Sequence, residues 1–179
     1  SVAAADRGNV WLRLEATGTA AHGSRPPAGD NAIDRLYDTI DRLREELRGV
    51  EFDLPAEVEE LLPDTAAYYA PAMGEEMARE LFHWPTINLG TFHGGEAINS
   101  VPASARAALD IRLTAGVAAP PICDRIRSFL AEEAGVAIDS IRWTEGTYEC
   151  PDASLVAASV EAASEATGNR VFRRSATGG

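Results

Sequence analysis

Residues 104–114, SARAALDIRLT, set Ala105, Ala107, Leu109, Ile111 and Leu113 in strict alternation with other side chains, a pattern satisfied by a long strand buried on one face. A slip of one residue would turn the whole apolar set to water, so the register is tightly specified. NVWLRLEATG supplies a second strand of the same kind, with Val10, Leu12 and Leu14 opposed to Trp11, Arg13 and Glu15. A sheet with one dry face needs helices to cover it. The first follows a loop that runs to Gly29: after Asp30, the expected N-cap, Ile33, Leu36, Tyr37, Ile40, Leu43 and Leu47 recur at helical spacing as far as Gly49.

TINLGTFHGG reads as a further strand that turns at Gly94-Gly95, and GGEAINSVPA joins it to SARAALDIRLT as an antiparallel pair. Beyond a Pro120-Pro121 breaker, Ile122, Ile126, Phe129 and Leu130 mark a second helix closing near Gly135, and VAIDSIRWTEGTY is a fourth strand. The order strand, helix, strand, strand, helix, strand predicts an α+β ferredoxin-like sandwich: a four-stranded antiparallel sheet with two helices on one face. This domain is expected over residues 1–148, with an irregular insertion at about 50–84 built from short helices. Residues 149–179 read as one helix, through Leu155, Val156, Val160 and Ala163, and a short strand RVFRR. Two elements cannot bury their own faces, so this tail is expected to belong to a second, truncated domain.

Composition narrows the function. The 179 residues carry 28 acidic and 16 basic side chains, for a net charge of −12, and every basic residue is arginine. Such a surface repels phosphate backbones and argues against nucleic-acid partners. Two readings of the missing lysine stand side by side: adaptation to concentrated salt, where self-repulsion is screened, or a GC-rich genome that writes Arg for Lys. Cys123 and Cys150 are far apart and form no CxxC pair, which predicts reduced thiols in a cytoplasmic protein. Neither a membrane span nor a signal peptide is apparent, and the opening SVAAAD and closing SATGG suggest an excised fragment.

Three polar residues stand out. His22 lies in the Gly- and Pro-punctuated loop GTAAHGSRPPAGDNA, where a side chain can reach a ligand while the sheet holds the loop; a turn-stabilising imidazole is the simpler alternative. Asn99 sits in the hairpin connection, where an Asx turn would account for it. Arg112 ends its strand on the face opposite Leu109, Ile111 and Leu113, where a surface ion pair would suffice. His22, His83 and His93 show no HxD, HxxxH or HExxH spacing, so no metal ligands are predicted within the chain.

GTAAHGSRPPAGDNAI, then INLGTFHGGEAINSVPASARAALDIRL, then the terminal Gly-Gly together resemble the lid or dimerisation domain of the zinc-dependent amidohydrolase family. That family includes aminoacylase, acetylornithine deacetylase, succinyl-diaminopimelate desuccinylase, carboxypeptidase G and carnosinase. The resemblance implies a hydrolase of N-acyl amino acids or small peptides, homodimeric through this domain, with zinc or cobalt held outside this chain and the fragment inactive alone. It implies that His22 stabilises the oxyanion across the dimer and that Asn99 and Arg112 bind substrate. Gly178 and Gly179 would begin a substrate loop. His93 and residues 50–84 receive no role from it. A stand-alone ferredoxin-like binding or regulatory module is the competing reading.

Overall fold

The computed structural model describes residues 1–150 and 153–177. The elements run β1 (Val2–Asp6), β2 (Gly8–Thr17), β3 (Ala21–His22), a 3-10 turn (Pro26–Ala28), α1 (Ala32–Arg48), α2 (Ala56–Glu59), α3 (Leu62–Met73) and α4 (Glu75–Glu80). They continue with β4 (Thr86–Gly94), β5 (Ser100–Val101), β6 (Ser104–Leu113), α5 (Ala119–Ala131), β7 (Val136–Thr144), β8 (Thr147–Tyr148), α6 (Ser154–Thr167) and β9 (Arg173–Ala176).

Four strands form the main sheet in the order β4-β6-β2-β7, every pair antiparallel, which is the topology expected of a split βαβ sandwich. Leu12 lies opposite Leu109, and Val10 opposite Ile111, so the two alternating strands place their apolar sets on one face. Against that face pack Leu36, Ile40, Leu43 and Leu47 of α1 and Ile122, Cys123, Ile126 and Leu130 of α5, in one continuous core. Each fully buried Leu or Ile contributes about 1.5–3 kcal/mol, so the α1 stripe fixes how that helix lies on the sheet.

Two helix starts differ from expectation. Asn31, not Asp30, caps α1: its side-chain oxygen accepts from the Ile33 and Asp34 amides at 2.9 and 3.4 Å. Asp30 is committed elsewhere, exchanging both backbone hydrogen bonds with Thr19 and pairing its carboxylate with Arg35. Pro120 and Pro121 do not precede α5 but lie in its first turn, where a missing N–H loses no helical bond. Ala118 has no capping side chain, and the Glu145 carboxylate accepts from the Ala119 amide at 3.1 Å instead.

The insertion contains short helices, as expected, but its longest, α3, runs through PDTAAYYAPAM, which carried no helix signal of its own. Nor is the stretch loose. Val58 and Leu61 bury with Ala4, Ala5, Ala115 and Val156, and Leu54 and Leu62 bury with Phe82. This packing joins the sandwich to a second sheet, β8-β1-β9, in which β1 runs antiparallel to β8 and parallel to β9. The expected fourth strand is therefore split: β7 ends at Thr144, and Thr147–Tyr148 crosses to the second sheet. In α6 Val156 is buried, whereas Leu155 is 75% exposed.

Candidate functional site

The two motif-bearing loops meet at one end of the sheet. Ala21 pairs with Val101 and His22 with Ser100, so β3 and β5 form a small ribbon beyond the main strands. Three backbone bonds stitch it: Gly23 N–H to the Asn99 carbonyl at 2.7 Å, Gly18 N–H to Ala103 at 2.9 Å and Ala32 N–H to Pro102 at 3.0 Å. The first approach requires glycine, because a Cβ on residue 23 would sit 2.8 Å from the Asn99 carbonyl carbon. His22 and Asn99 are both exposed on this edge.

The His22 ring is oriented by its own loop. Its Nδ1 accepts the Ser24 amide at 3.2 Å and lies 2.8 Å from the Ser24 hydroxyl. A backbone N–H can only donate, so in the neutral ring the proton resides on Nε2, on the side away from the loop. The result is an outward-facing N–H donor. Beside it, Ile98 is fully exposed at the tip of the Asn99 loop, an apolar side chain with nothing to pack against in one protomer.

Arg112 does not join them. It lies opposite Asn9 and Thr86 at the far end of β6, whereas Ser104, at the histidine end, pairs with Thr17. Ser104 and Arg112 are eight residue steps apart along β6, about 26 Å at strand rise. Arg112 donates from Nε and Nη2 to Asp110 Oδ2 at 3.0 and 2.9 Å, and its side chain is 20% exposed. Its carbonyl accepts from Nη2 of Arg7 at 2.9 Å. Arg7 is buried with its guanidinium 5.4 Å from the centre of the Phe82 ring. Burial foremost, then the neighbouring Arg112 charge, lowers its pKa to about 10, while Asp110 opposes the shift. Arg7 thus remains a cation at neutral pH, beside the half-buried Asp110–Arg112 pair.

Sequence reasoning missed Arg7, Ser24 and Ile98. Arg7 had one visible signal, a charged residue directly before the Gly that begins an apolar strand. Ser24, two residues after His22, is where a loop side chain can fold back on the ring. Gly178 and Gly179 lie outside the described residues. His93 lies on β4 opposite Arg106 and is exposed. His83 lines a groove of about 930 Å³ between α3 and α4, together with Leu62, Ala66 and Glu75, remote from the His22 edge. Among the described residues no three His, Cys, Asp or Glu side chains are grouped so as to hold a metal ion, and no helix is long and apolar enough to cross a membrane.

A ferredoxin-like sandwich carrying a histidine–asparagine edge at one end and a paired arginine at the other defines a recognisable class. The family model of the M20 peptidase dimerisation domain matches residues 4–137, and the chain belongs to that family. A probable carboxypeptidase of Aspergillus flavus is 34% identical over 116 residues, 65% of this chain and 23% of that protein. A probable succinyl-diaminopimelate desuccinylase of Staphylococcus epidermidis is 31% identical over 109 residues, 60% of this chain and 26% of that protein. The chain thus spans about a quarter of these curated relatives. Among solved structures, an M20 family metallo-carboxypeptidase of Sulfolobus solfataricus superposes with a TM-score of 0.76 at 20% identity, over 98% of this chain and 46% of that one. A dipeptidase of Saccharomyces cerevisiae superposes with a TM-score of 0.72 at 12% identity, over 99% and 44%. At those identities the likeness is one of fold.

Proposed function

We propose that this chain is the lid and dimerisation part of a two-zinc hydrolase that cleaves the amide bond of N-acyl amino acids or small peptides. Zinc or cobalt would be held by residues beyond this chain, since the side chains described here do not fit a metal centre. The chain by itself is then inactive. The observation that carries the reading is the separation of Arg112 from the His22–Asn99 edge along β6. A small substrate cannot touch both ends of one sheet, so a site that uses all three residues draws them from two copies. The exposed Ile98 beside Asn99 supports this, because an apolar loop tip gains by entering a partner's surface.

In that assembly the residues of this chain have simple tasks. His22 presents its Nε2–H to the scissile carbonyl oxygen, where negative charge develops as the tetrahedral intermediate forms. Asn99 offers an amide donor beside it. Arg112 receives the substrate carboxylate, kept from collapsing on its own backbone by Asp110. Arg7, bonded to the Arg112 carbonyl, holds that strand end in place.

The test is His22→Ala in the full-length parent. Loss of one preorganised oxyanion donor lowers kcat by about 10²–10³-fold, with KM and bound metal little changed. Turnover at the wild-type rate would refute the role given to His22. A screen of N-acyl amino acids against dipeptides would separate deacylase from exopeptidase.

A further inference from the structure

Ion pairs between described residues engage ten of the arginines with a carboxylate. Among the described residues, the exposed arginines with no hydrogen bond, ion pair or ring contact from the side chain are Arg13, Arg25 and Arg142. Arg25 lies in the His22 loop. The other two share the open face of the main sheet, the one without helices.

The register fixes their arrangement. Arg142 of β7 lies directly across from Trp11 of β2, and Arg13, two residues along β2, lies across from Ser140. Both arginines therefore flank the Trp11 indole, which is 55% exposed. On the same face Arg106 is neutralised by Glu15 at 2.9 Å, and Asp110, which lies across from Trp11 on β6, is taken up by Arg112. With Asp139, exposed in the β7 bulge beside Arg13, four of the 16 arginines meet three of the 28 acids on this face, which still carries an excess positive charge in a chain of net charge −12.

We propose that this open face is a docking platform for an extended acidic peptide, with carboxylates on Arg13 and Arg142 and an apolar side chain over Trp11. Diagonal neighbours across a sheet stand about 7–8 Å apart. Alternate residues of an extended peptide are separated by about 6.6–6.8 Å, so carboxylates two positions apart match the two guanidinium groups. A polyphosphate would extend past this small face onto acidic surface and be repelled; a short peptide stays within it. In the parent hydrolase the ligand would be the part of a peptide substrate away from the scissile bond, and to that extent the inference rests on the reading above.

The probe is an end-blocked Phe-Gly-Glu-Gly-Glu peptide, whose Phe and two Glu side chains share one face of the extended chain, compared with Phe-Gly-Gln-Gly-Gln, titrated into this chain while the indole resonance of Trp11 is followed by NMR. The acidic peptide is expected to shift that resonance, and to bind more weakly as NaCl rises from about 0.05 to about 0.5 M. The Gln analogue and the Arg13→Gln/Arg142→Gln double variant are each expected to lose about tenfold in affinity, whereas Arg79→Gln, on α4, is expected to lose none. Circular dichroism reports whether the double variant stays folded, and Trp11→Leu gives an independent loss of binding. Equal binding of both peptides, no binding at millimolar peptide, an unaffected double variant, or tighter binding of oligothymidylate would each overturn the proposal. Because the readout needs no turnover, a parent that hydrolyses neutral peptides while this face binds nothing would overturn this inference alone.

Discussion

Cys123 and Cys150 carry the same thiol in opposite surroundings, one buried in the core beneath α5 and the other exposed. Burial raises the Cys123 pKa above the ordinary 9.0, because the thiolate would be stranded among apolar side chains. The folded protein then keeps a proton that the unfolded chain gives up, so above about pH 9 this residue lowers stability as pH rises. Urea midpoints measured from pH 7 to 10.5 should fall less steeply in Cys123→Ala than in the wild type, and iodoacetamide should label Cys150 long before Cys123. An equal slope in both proteins would remove Cys123 as the cause. At this scale His22 was legible because Gly and Pro isolate it in a loop, and Arg112 because its parity sets it off from the apolar set. Arg7 was not, since a charged side chain at a strand start reads as exposed, and its burial depends on Phe82 arriving from 75 positions away.

Helix α1 illustrates how far an element can be read before its context is known. Its apolar stripe identified the helix and its buried face, but Asp30 and Asn31 are both good caps, and the choice falls to the Thr19–Asp30 bridge, a contact between distant parts of a loop. Replacing Asn31 by Ala should cost about 1 kcal/mol, whereas Asp30→Ala, which removes only a partly exposed ion pair, should cost about 0–1 kcal/mol; chemical denaturation of the two variants compares them. If Asp30→Ala proves the more damaging, the cap is assigned to the wrong residue. The sandwich was legible for a plain reason: β2 and β6 alternate strictly, and α1 is amphipathic. The second sheet was not. Val2–Asp6 is too short and Ala-rich to show a period, and β8 can be separated from β7 only by knowing that Glu145 is drawn to the start of α5.

For the whole molecule, the fold class and the family were readable, because two ordered motifs and a complete strand–helix pattern agree. The linear reading put Asn99 before β6 and Arg112 at its end; what it could not supply was that His22 joins Asn99, through the pairing of β3 with β5. If two copies complete the site, the chain should sediment as a dimer at high concentration, and Ile98→Glu, which places a charge at the loop tip, should weaken association while leaving the monomer's melting temperature nearly unchanged. A strict monomer at every concentration would count against the two-copy site. The passage between the sandwich and the second sheet sets a further constraint. Gly8 and Gly146 cross it side by side, so close that a Cβ on either would lie within 3 Å of the other's backbone nitrogen, and the Ala115 backbone presses against Gly146. Seen as a mechanical part, this is a strap two strands wide. A strap with no slack transmits rather than absorbs: with Val58 and Leu61 of the insertion clamped against Ala4, Ala5 and Ala115 beside it, a side chain added at either glycine would have to wedge the sandwich away from the second sheet.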